Sequence, residues 1–366
     1  MTIRTRKPRS GTRGPTVADV ARHAGVSPMT VSRVINSEPT VLPATCEKVT
    51  AAIKALGYVP NPAARSLAGG RQCRIALLHA NPSAAYLSEF LMGSLAQASQ
   101  FDVQLIVEHC DIAPSPAELV RKLAGHRVDA VLLPPPLCDD AALLAALQKA
   151  GLPMAQIATG QAVDFAHALT IDDEAAAYAM TQHLITLGHQ RIGFVQGACD
   201  QTASALRRAG YVRALAEAGL ALADDLLVQG DFTYRSGLAC AESLLALPDR
   251  PTAIFASNDD MAAAAVAVAH RHGLDVPRDL SVAGFDNSAM STTIWPELTT
   301  IDQPVAEMAR QATAILAEAV RNRTNLPDKP VQHVRLAFQL LCRASAGPLA
   351  SKPGGNVSPR LGGAEV

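Results

Sequence analysis

Residues 16–36 read TVADVARHAGVSPMTVSRVIN, and their caps, breaks and apolar spacing decide the N-terminal part of the fold. Thr16 suits a helix N-cap, because its side-chain oxygen can take a backbone N–H that the first turn leaves unpaired. Asp19, three residues on, adds a carboxylate to the same turn. Val20, Ala21 and Ala24 then share one helical face. Gly25 breaks the helix, and Val26 can tuck into the angle that follows. Ser27 caps a second helix with Pro28 at its first position, where the missing N–H has no intrahelical partner to lose. Val31 and Val34 point inward, leaving Met29, Thr30, Ser32 and Arg33 on other faces. Two short helices joined by a tight glycine turn, the second with a polar face, form a helix-turn-helix that can lay its second helix in the major groove of DNA. A helical hairpin with no nucleic-acid role would show the same periodicity, so the surroundings matter.

Those surroundings are basic. Residues 1–74 hold 12 Lys/Arg against 3 Asp/Glu, and the remainder holds 20 against 30. The net charge of −1 therefore hides a basic head on an acidic body, and a basic head implies a polyanionic partner. A disordered basic tail accounts for Arg4 to Arg13 but not for the patterned stretch after it. Residues 44–56 (ATCEKVTAAIKAL) then read as a third amphipathic helix with Val49, Ile53 and Leu56 inward, followed by GYVPNPAARSLAGGR over 57–71.

From Val17 to Gly69 the chain resembles the headpiece and hinge of the LacI/GalR repressors, whose pattern runs T-x-x-D-V-A-x-x-A-G-V-S-x-x-T-V-S-R-V-x-N, then Y-x-P-N-x-x-A-R-x-L. The resemblance implies that Pro28 and Met29 open a recognition helix toward base edges, with Arg33 beside them. Thr16, Ser27, Thr30, Ser32, Asn36 and Thr45 would hold phosphates, which set register without reading sequence. Val17 and Tyr58 complete the expected DNA-facing set of this unit. It further implies a hinge helix from Asn61, through Ala64, to Ala68, with Leu67 wedged into the minor groove. A short helix is marginal alone, and an apolar wedge can kink a base step. The family usually has Ser and Arg where this chain has Leu42 and Cys46, removing a cap and a positive charge from the start of the third helix.

Beyond Arg74 short apolar runs alternate with helical patterns: IALLH (75–79), VQLIVEH (103–109), AVLLPP (130–135), IGFVQG (192–197), AIFASND (253–259) and SVAGFD (281–286). Helical patterns lie between them at 88–98, 140–149, 174–187, 205–218 and 261–272. Strands alternating with helices indicate βαβ units and parallel sheets, too many for one small sheet. The expected fold is α/β: a two-lobed core of parallel sheets behind a small all-α helix-turn-helix domain. The resemblance implies a periplasmic-binding-protein-like core crossed three times between lobes, near 170, 302 and 330, with ligand at the strand ends.

Polar residues fall at those ends. Asn258 and Asp259 follow AIFAS, where they also read as the cap of the next helix. Asp286 follows SVAGF, where turn chemistry is the alternative. Arg207 stands in an RxxGY pattern with Gly210 and Tyr211, which in the family carries a ligand-gripping arginine; Phe232 matches a ring that stacks on the ligand. Asn81, Ser83, Tyr86 and Phe90 follow the first strand and can close the other wall. Arginine, carboxylates, an amide and an aromatic face suit a polyhydroxylated ligand, giving paired hydrogen bonds to hydroxyls and a platform for C–H faces. An aspartate that many sugar-binding relatives carry after the strand 154–158 is replaced by Ala158-Thr159-Gly160.

Competing classes have less support. No P-loop, G-x-S-x-G elbow, dinucleotide fingerprint or HExxH is present, so we expect no enzyme. His270 and His272 diverge on their helix, and no metal or other cofactor is expected. The seven cysteines, at 46, 73, 110, 138, 199, 240 and 342, form no CxxC pair and read as reduced thiols of a cytoplasmic protein. No apolar run spans a membrane and no signal peptide is recognised. The expected domains are a basic tail (1–14), a helix-turn-helix domain (15–60), a hinge (61–72), an effector-binding and dimerisation core (73–345) and a disordered tail (346–366). Within the core the first lobe takes 73–170 and 303–330, the second 171–302 and 331–345. The expected function is a homodimeric repressor on a palindromic double-stranded operator, released by a sugar-like effector, with no tetramer-forming C-terminal helix. The alternatives are a periplasmic-type solute-binding protein, or a regulator with a non-sugar corepressor.

Overall fold

The computed structural model describes residues 15–35, 41–58, 72–110, 115–322 and 330–349. Asn36, Asn61, Ala64 and Leu67, with the basic tail and most of the expected hinge, lie outside the described residues. The chain divides into two units, 1–72 and 73–366.

In the first unit, α1 (Val17–Ala24), α2 (Pro28–Ile35) and α3 (Pro43–Leu56) pack around Val20, Val31 and Val49. Full burial of such side chains contributes about 1.5–3 kcal/mol each. The capping box of α1 is complete: Asp19 N donates to Thr16 Oγ1 at 3.4 Å, and Thr16 N donates back to Asp19 Oδ2 at 2.9 Å. Gly25 ends the helix at φ 67°, a left-handed conformation that penalises a Cβ. Leu42, the N-cap of α3, makes no side-chain hydrogen bond, and Pro43 supplies the start instead.

The second unit contains two six-stranded sheets. The first is built from β1 (Cys73–His79), β2 (Val103–His109), β3 (Ala130–Leu133), β4 (Met154–Ile157), β5 (His167–Thr170) and a late strand, here called β11 (His333–Arg335). Its order is β11-β5-β4-β3-β1-β2, all parallel. Helices α4 (Ala84–Gln100), α5 (Pro116–Gly125), α6 (Ala141–Lys149) and α12 (Val305–Asn322) belong to this lobe. Gly93 lets α4 approach α12 closely, since a Cβ there would stand 2.0 Å from the Ala306 carbonyl oxygen.

The second sheet contains β6 (Ile192–Gln196), β7 (Leu227–Gln229), β8 (Ala253–Ala256), β9 (Ser281–Asp286), β10 (Thr299–Asp302) and β12 (Gln339–Leu341). Its order is β12-β10-β9-β8-β6-β7. With it go α7 (Asp173–Thr186), α8 (Thr202–Glu217), α9 (Tyr234–Leu245), α10 (Asp259–Arg271) and the short α11 (Met290–Thr293). The expectation of parallel sheets needs one amendment, because β12 runs antiparallel to β10.

The expected lobe boundaries also need correction. β11 pairs with β5, so residues 333–335 belong to the first lobe. The third crossing falls at 336–338 rather than near 330. A three-residue edge strand has too few alternations to declare its sheet in sequence. The expected disordered tail from 346 is likewise displaced: Gly347 N donates to Ser281 Oγ at 3.1 Å and Leu349 N to Leu187 O at 2.8 Å. Those bonds tie the chain to the second lobe as far as the described residues extend. Among the described residues no helix is long and apolar enough to cross a membrane.

Candidate functional site

The first unit presents an exposed face at the start of α2. Ser27 Oγ accepts from Thr30 N at 3.1 Å and lies 2.9 Å from Thr30 Oγ1, capping the helix as the sequence suggests. Pro28 and Arg33 are exposed, and Met29 shows 65% of its surface. A mostly exposed thioether fits a side chain awaiting an apolar contact. Thr16 is also exposed, while Val17, Thr30, Ser32 and Thr45 are half-buried. Tyr58 departs from the expected set: it is 8% exposed and packs with Val20, Val31 and Val49. Its ring holds the end of α3 onto the unit's core.

In the second unit a cleft brings together Asn81, Ser83, Tyr86, Arg207, Phe232, Asn258 and Asp286, seven of the expected effector residues. Two expected residues do not line it. Phe90 is fully buried in the core beneath α4, as ring-bearing helix positions usually are. Asp259 turns into the protein, where its carboxylate accepts from Thr300 Oγ1 and Ser288 N, both at 2.7 Å. Pro135, Ala158, Gln201, Ala203 and Gln303 complete the lining; none was named as a site residue in the sequence, where Ala158 figured only in the stretch that replaces an aspartate. Four of them come from loops or a lobe crossing, which carry no periodic pattern, and Ala203 stands in the first turn of α8. Asn258 caps α10, its Oδ1 accepting from Met261 N at 3.0 Å, and it also lines the cleft, where Nδ2 donates to Phe232 O at 2.9 Å.

Arg207 is the hub of the cleft. Its Nε donates to Asp173 Oδ1 at 2.8 Å, Nη1 to Ser257 O at 2.6 Å and Nη2 to Gln303 Oε1 at 3.1 Å. Asp286 Oδ1 lies 4.0 Å from Nη1, and the guanidinium stacks 3.6 Å from the Phe285 ring centroid. Planar, bidentate geometry and weak hydration make arginine suited to such a buried junction. Gln303 lies between β10 and α12, on a crossing between lobes, so the hub touches that crossing as well as the cleft.

Burial dominates the titration of this site. It pushes the carboxyls of Asp173, Asp260 and Asp286 up, against the opposing pull of Arg207 on Asp173 and Asp286 and of Ser83 on Asp260. It also drives the Tyr86 phenol well above its usual range, with Asp286 adding to the effect. Tyr86 Oη and Gln303 Nε2 are buried with no hydrogen-bond partner among the described residues. Such groups usually carry a desolvation cost of about 1–3 kcal/mol, so a cleft holding two of them is suited to a ligand with hydroxyls. Ala158, Phe232, Asp286 and Asn287 all have left-handed φ, at 54°, 67°, 109° and 54°, and such strain in non-glycine residues gathers at ligand clamps.

The two lobes touch directly across the cleft. Asp139, in the turn after β3, accepts from Thr202 N at 2.7 Å and Thr202 Oγ1 at 2.9 Å, and from Thr159 Oγ1 at 2.6 Å. Ser83 Oγ donates to Asp260 Oδ2 at 2.5 Å. The space left against Arg207 and Phe232 is about 20 Å³, enough for about one water. That space is smaller than a sugar ring, so admitting a ligand of that size would require the lobes to part.

A helix-turn-helix followed by a two-lobed, cleft-bearing α/β core defines a DNA-binding regulator built on a binding-protein scaffold. Residues 16–61 match the bacterial regulatory proteins of the lacI family, and residues 181–346 match a periplasmic binding protein-like domain. Catabolite control protein A of Priestia megaterium is 34% identical over 311 residues, covering 84% of this chain and 93% of that protein. The structure of the transcriptional regulator CelR with cellobiose is 33% identical, with a TM-score of 0.69 over 91% of this chain and all of that one. The lac repressor dimer bound to operator and the anti-inducer ONPF is 27% identical, with a TM-score of 0.70 over 92% of this chain and all of that one. The chain belongs to the LacI family, and it is a DNA-binding transcriptional regulator.

Proposed function

We propose that the protein is a homodimeric repressor that grips a near-palindromic operator and is released when a sugar-like effector enters the cleft. The observation that carries this reading is Arg207, whose partners join the cleft wall to the inter-lobe crossing at Gln303. An effector that takes hydrogen bonds from this group acts on the cleft and the inter-lobe crossing together. In the closed arrangement Asp139 and Ser83 hold the lobes by direct hydrogen bonds. A ligand that binds the parted lobes better shifts the population toward them. That shift is passed to the helix-turn-helix through residues 61–72, which the sequence assigns to a hinge.

In this scheme α2 reads bases through Pro28, Met29 and Arg33, while Thr16, Ser27, Thr30, Ser32 and Thr45 hold phosphates. Val17 stands beside that face. Asn36, Asn61, Ala64 and Leu67 retain the roles the family pattern implies. The protein works by binding rather than catalysis, in the cytoplasm. The domain plan follows the corrected lobes: 73–170 with 303–335, and 171–302 with 339–349. CelR with cellobiose and the operator-bound lac repressor dimer support the effector class and the dimer by analogy.

The test is capture of promoter DNA by the purified protein, followed by gel shifts against a panel of mono- and disaccharides. The expected result is an enriched near-palindrome whose binding falls with one sugar. Absence of any enriched site would overturn the operator reading. A site held more tightly with every active ligand would make the effector a corepressor.

A further inference from the structure

Behind the wall formed by Tyr86, Asp286 and Gln303 lies a second cavity of about 270 Å³, which shares those three residues with the cleft. Its other walls include Glu89, Asp302 and Glu307, and among the described residues that line it there is no Lys, Arg or His. Glu307 is already matched by Arg310 and by Gln311 Nε2. Asp302 Oδ1 accepts from Asn287 Nδ2 at 2.9 Å. The nearby Arg343 is engaged with Asn287 Oδ1, Ser291 Oγ and Leu298 O. Among the described residues no cation pairs with Glu89 or with the second oxygen of Asp302. Both side chains belong to half-buried residues, where an unmatched charge interacts more strongly than it would in open water.

The cleft adds no spare positive charge. Among the described residues Arg207 is its one cationic lining residue, and that guanidinium is bound to Asp173 at 2.8 Å with Asp286 close by. A phosphate or carboxylate arriving here meets carboxylates on one side and a compensated arginine on the other. An ammonium group meets two carboxylates with acceptor capacity. A hydroxyl on the same ligand can satisfy Tyr86 Oη and Gln303 Nε2, the buried polar atoms that lack partners on the shared wall.

We propose that this second cavity is an amine subsite, and that the effector is a polyol bearing a protonated amine, of the amino-sugar class, with its ammonium between Glu89 and Asp302. The proposal rests on the sugar reading of the cleft and specifies the ligand's charge. It makes the site selective by sign: cationic ligands first, neutral sugars next, and sugar phosphates excluded by like-charge repulsion.

The experiment is calorimetric titration of the full-length protein, in an amine-free buffer, with matched sets: glucose, galactose and mannose, their 2-amino counterparts, and their 6-phosphates. One amino sugar is expected to bind at least about tenfold more tightly than its neutral parent, as a charge-assisted hydrogen bond allows, with its 6-phosphate counterpart giving no heat. In Glu89→Gln, and separately in Asp302→Asn, the preference for the amine should fall toward twofold or less. Glu89→Gln lies on the half-buried face of α4 and keeps the readout available if the Asp302 variant folds poorly. Neutral sugars binding as tightly as their amino forms, or an amine preference that survives both variants, would overturn the subsite while leaving the sugar cleft standing. Absence of heat from every sugar and amino sugar would remove the sugar reading itself, and the subsite with it.

Discussion

Arg207→Met tests whether the cleft hub also holds up the fold. Methionine keeps an apolar stem against the Phe285 ring but removes three hydrogen bonds, to Asp173, Ser257 and Gln303. The larger consequence falls on Asp173, whose side chain is 0% exposed and whose second oxygen has no partner among the described residues. Removing one member of a buried ion pair typically destabilises by about 3–5 kcal/mol, because the other charge stays buried and uncompensated. Burial already raises the Asp173 carboxyl pKa while Arg207 pulls it down, so the variant raises it further. A raised acid favours the folded state below its unfolded pKa, and that contribution is lost as pH rises through the folded pKa. The defect should therefore be smaller at pH 5 than at pH 8.

Urea unfolding followed by circular dichroism is the suitable assay, since the single tryptophan, Trp295, is 80% exposed and reports poorly on the core. Arg207→Met should lose about 3–5 kcal/mol at pH 8, and adding Asp173→Asn should recover most of it. A single variant within about 1 kcal/mol of the parent, or a double variant no better than the single, would refute the argument. Loss of effector response in an arginine variant is therefore informative only beside its stability.

Other residues give independent tests. Burial pushes the Asp259 carboxyl up to about 7 from an ordinary value near 3.8; between those values the folded chain keeps a proton that the unfolded chain releases. Stability should therefore fall as pH rises from about 4 to about 7, by on the order of 4 kcal/mol from this group, and Asp259→Asn should flatten that slope in denaturant titrations. An unchanged slope would mean that other groups set it. Arg33→Ala should weaken operator binding by about 1–3 kcal/mol and relax preference at one base pair; an equal loss on every sequence in competition gel shifts would make Arg33 a phosphate contact. Gly93→Ala forces α4 away from the Ala306 carbonyl and should cost about 1–3 kcal/mol, read as a lower urea midpoint; a neutral result would show that the helices part freely.

How much could be read without coordinates differs between the two units. In the helix-turn-helix each signal is local. Thr16 with Asp19, the break at Gly25 and Ser27 with Pro28 act within a turn, and helical period alone turns Val20, Val31 and Val49 inward; all stand where the pattern puts them. Tyr58 is the exception, because burial depends on what packs above it. In the core, strand ends revealed Asn258 and Asp286, since sheet geometry collects strand ends in one place, whereas Arg207, on α8, and Phe232 came from the family pattern.

Sequence by itself determined the helix-turn-helix, the alternation of strands and helices, and most of the chemistry at the strand ends, because caps, turns and periodicity act over a few residues. Tertiary structure decided which sheet receives residues 333–335, which way Asp259 and Phe90 turn, and that Arg207 meets Asp173 and Gln303. It also decided that Asp139 and Thr202, 63 positions apart, clasp the lobes together. Those partners meet only when two sheets and three crossings are assembled, and separation along the chain leaves no periodic trace of such a meeting.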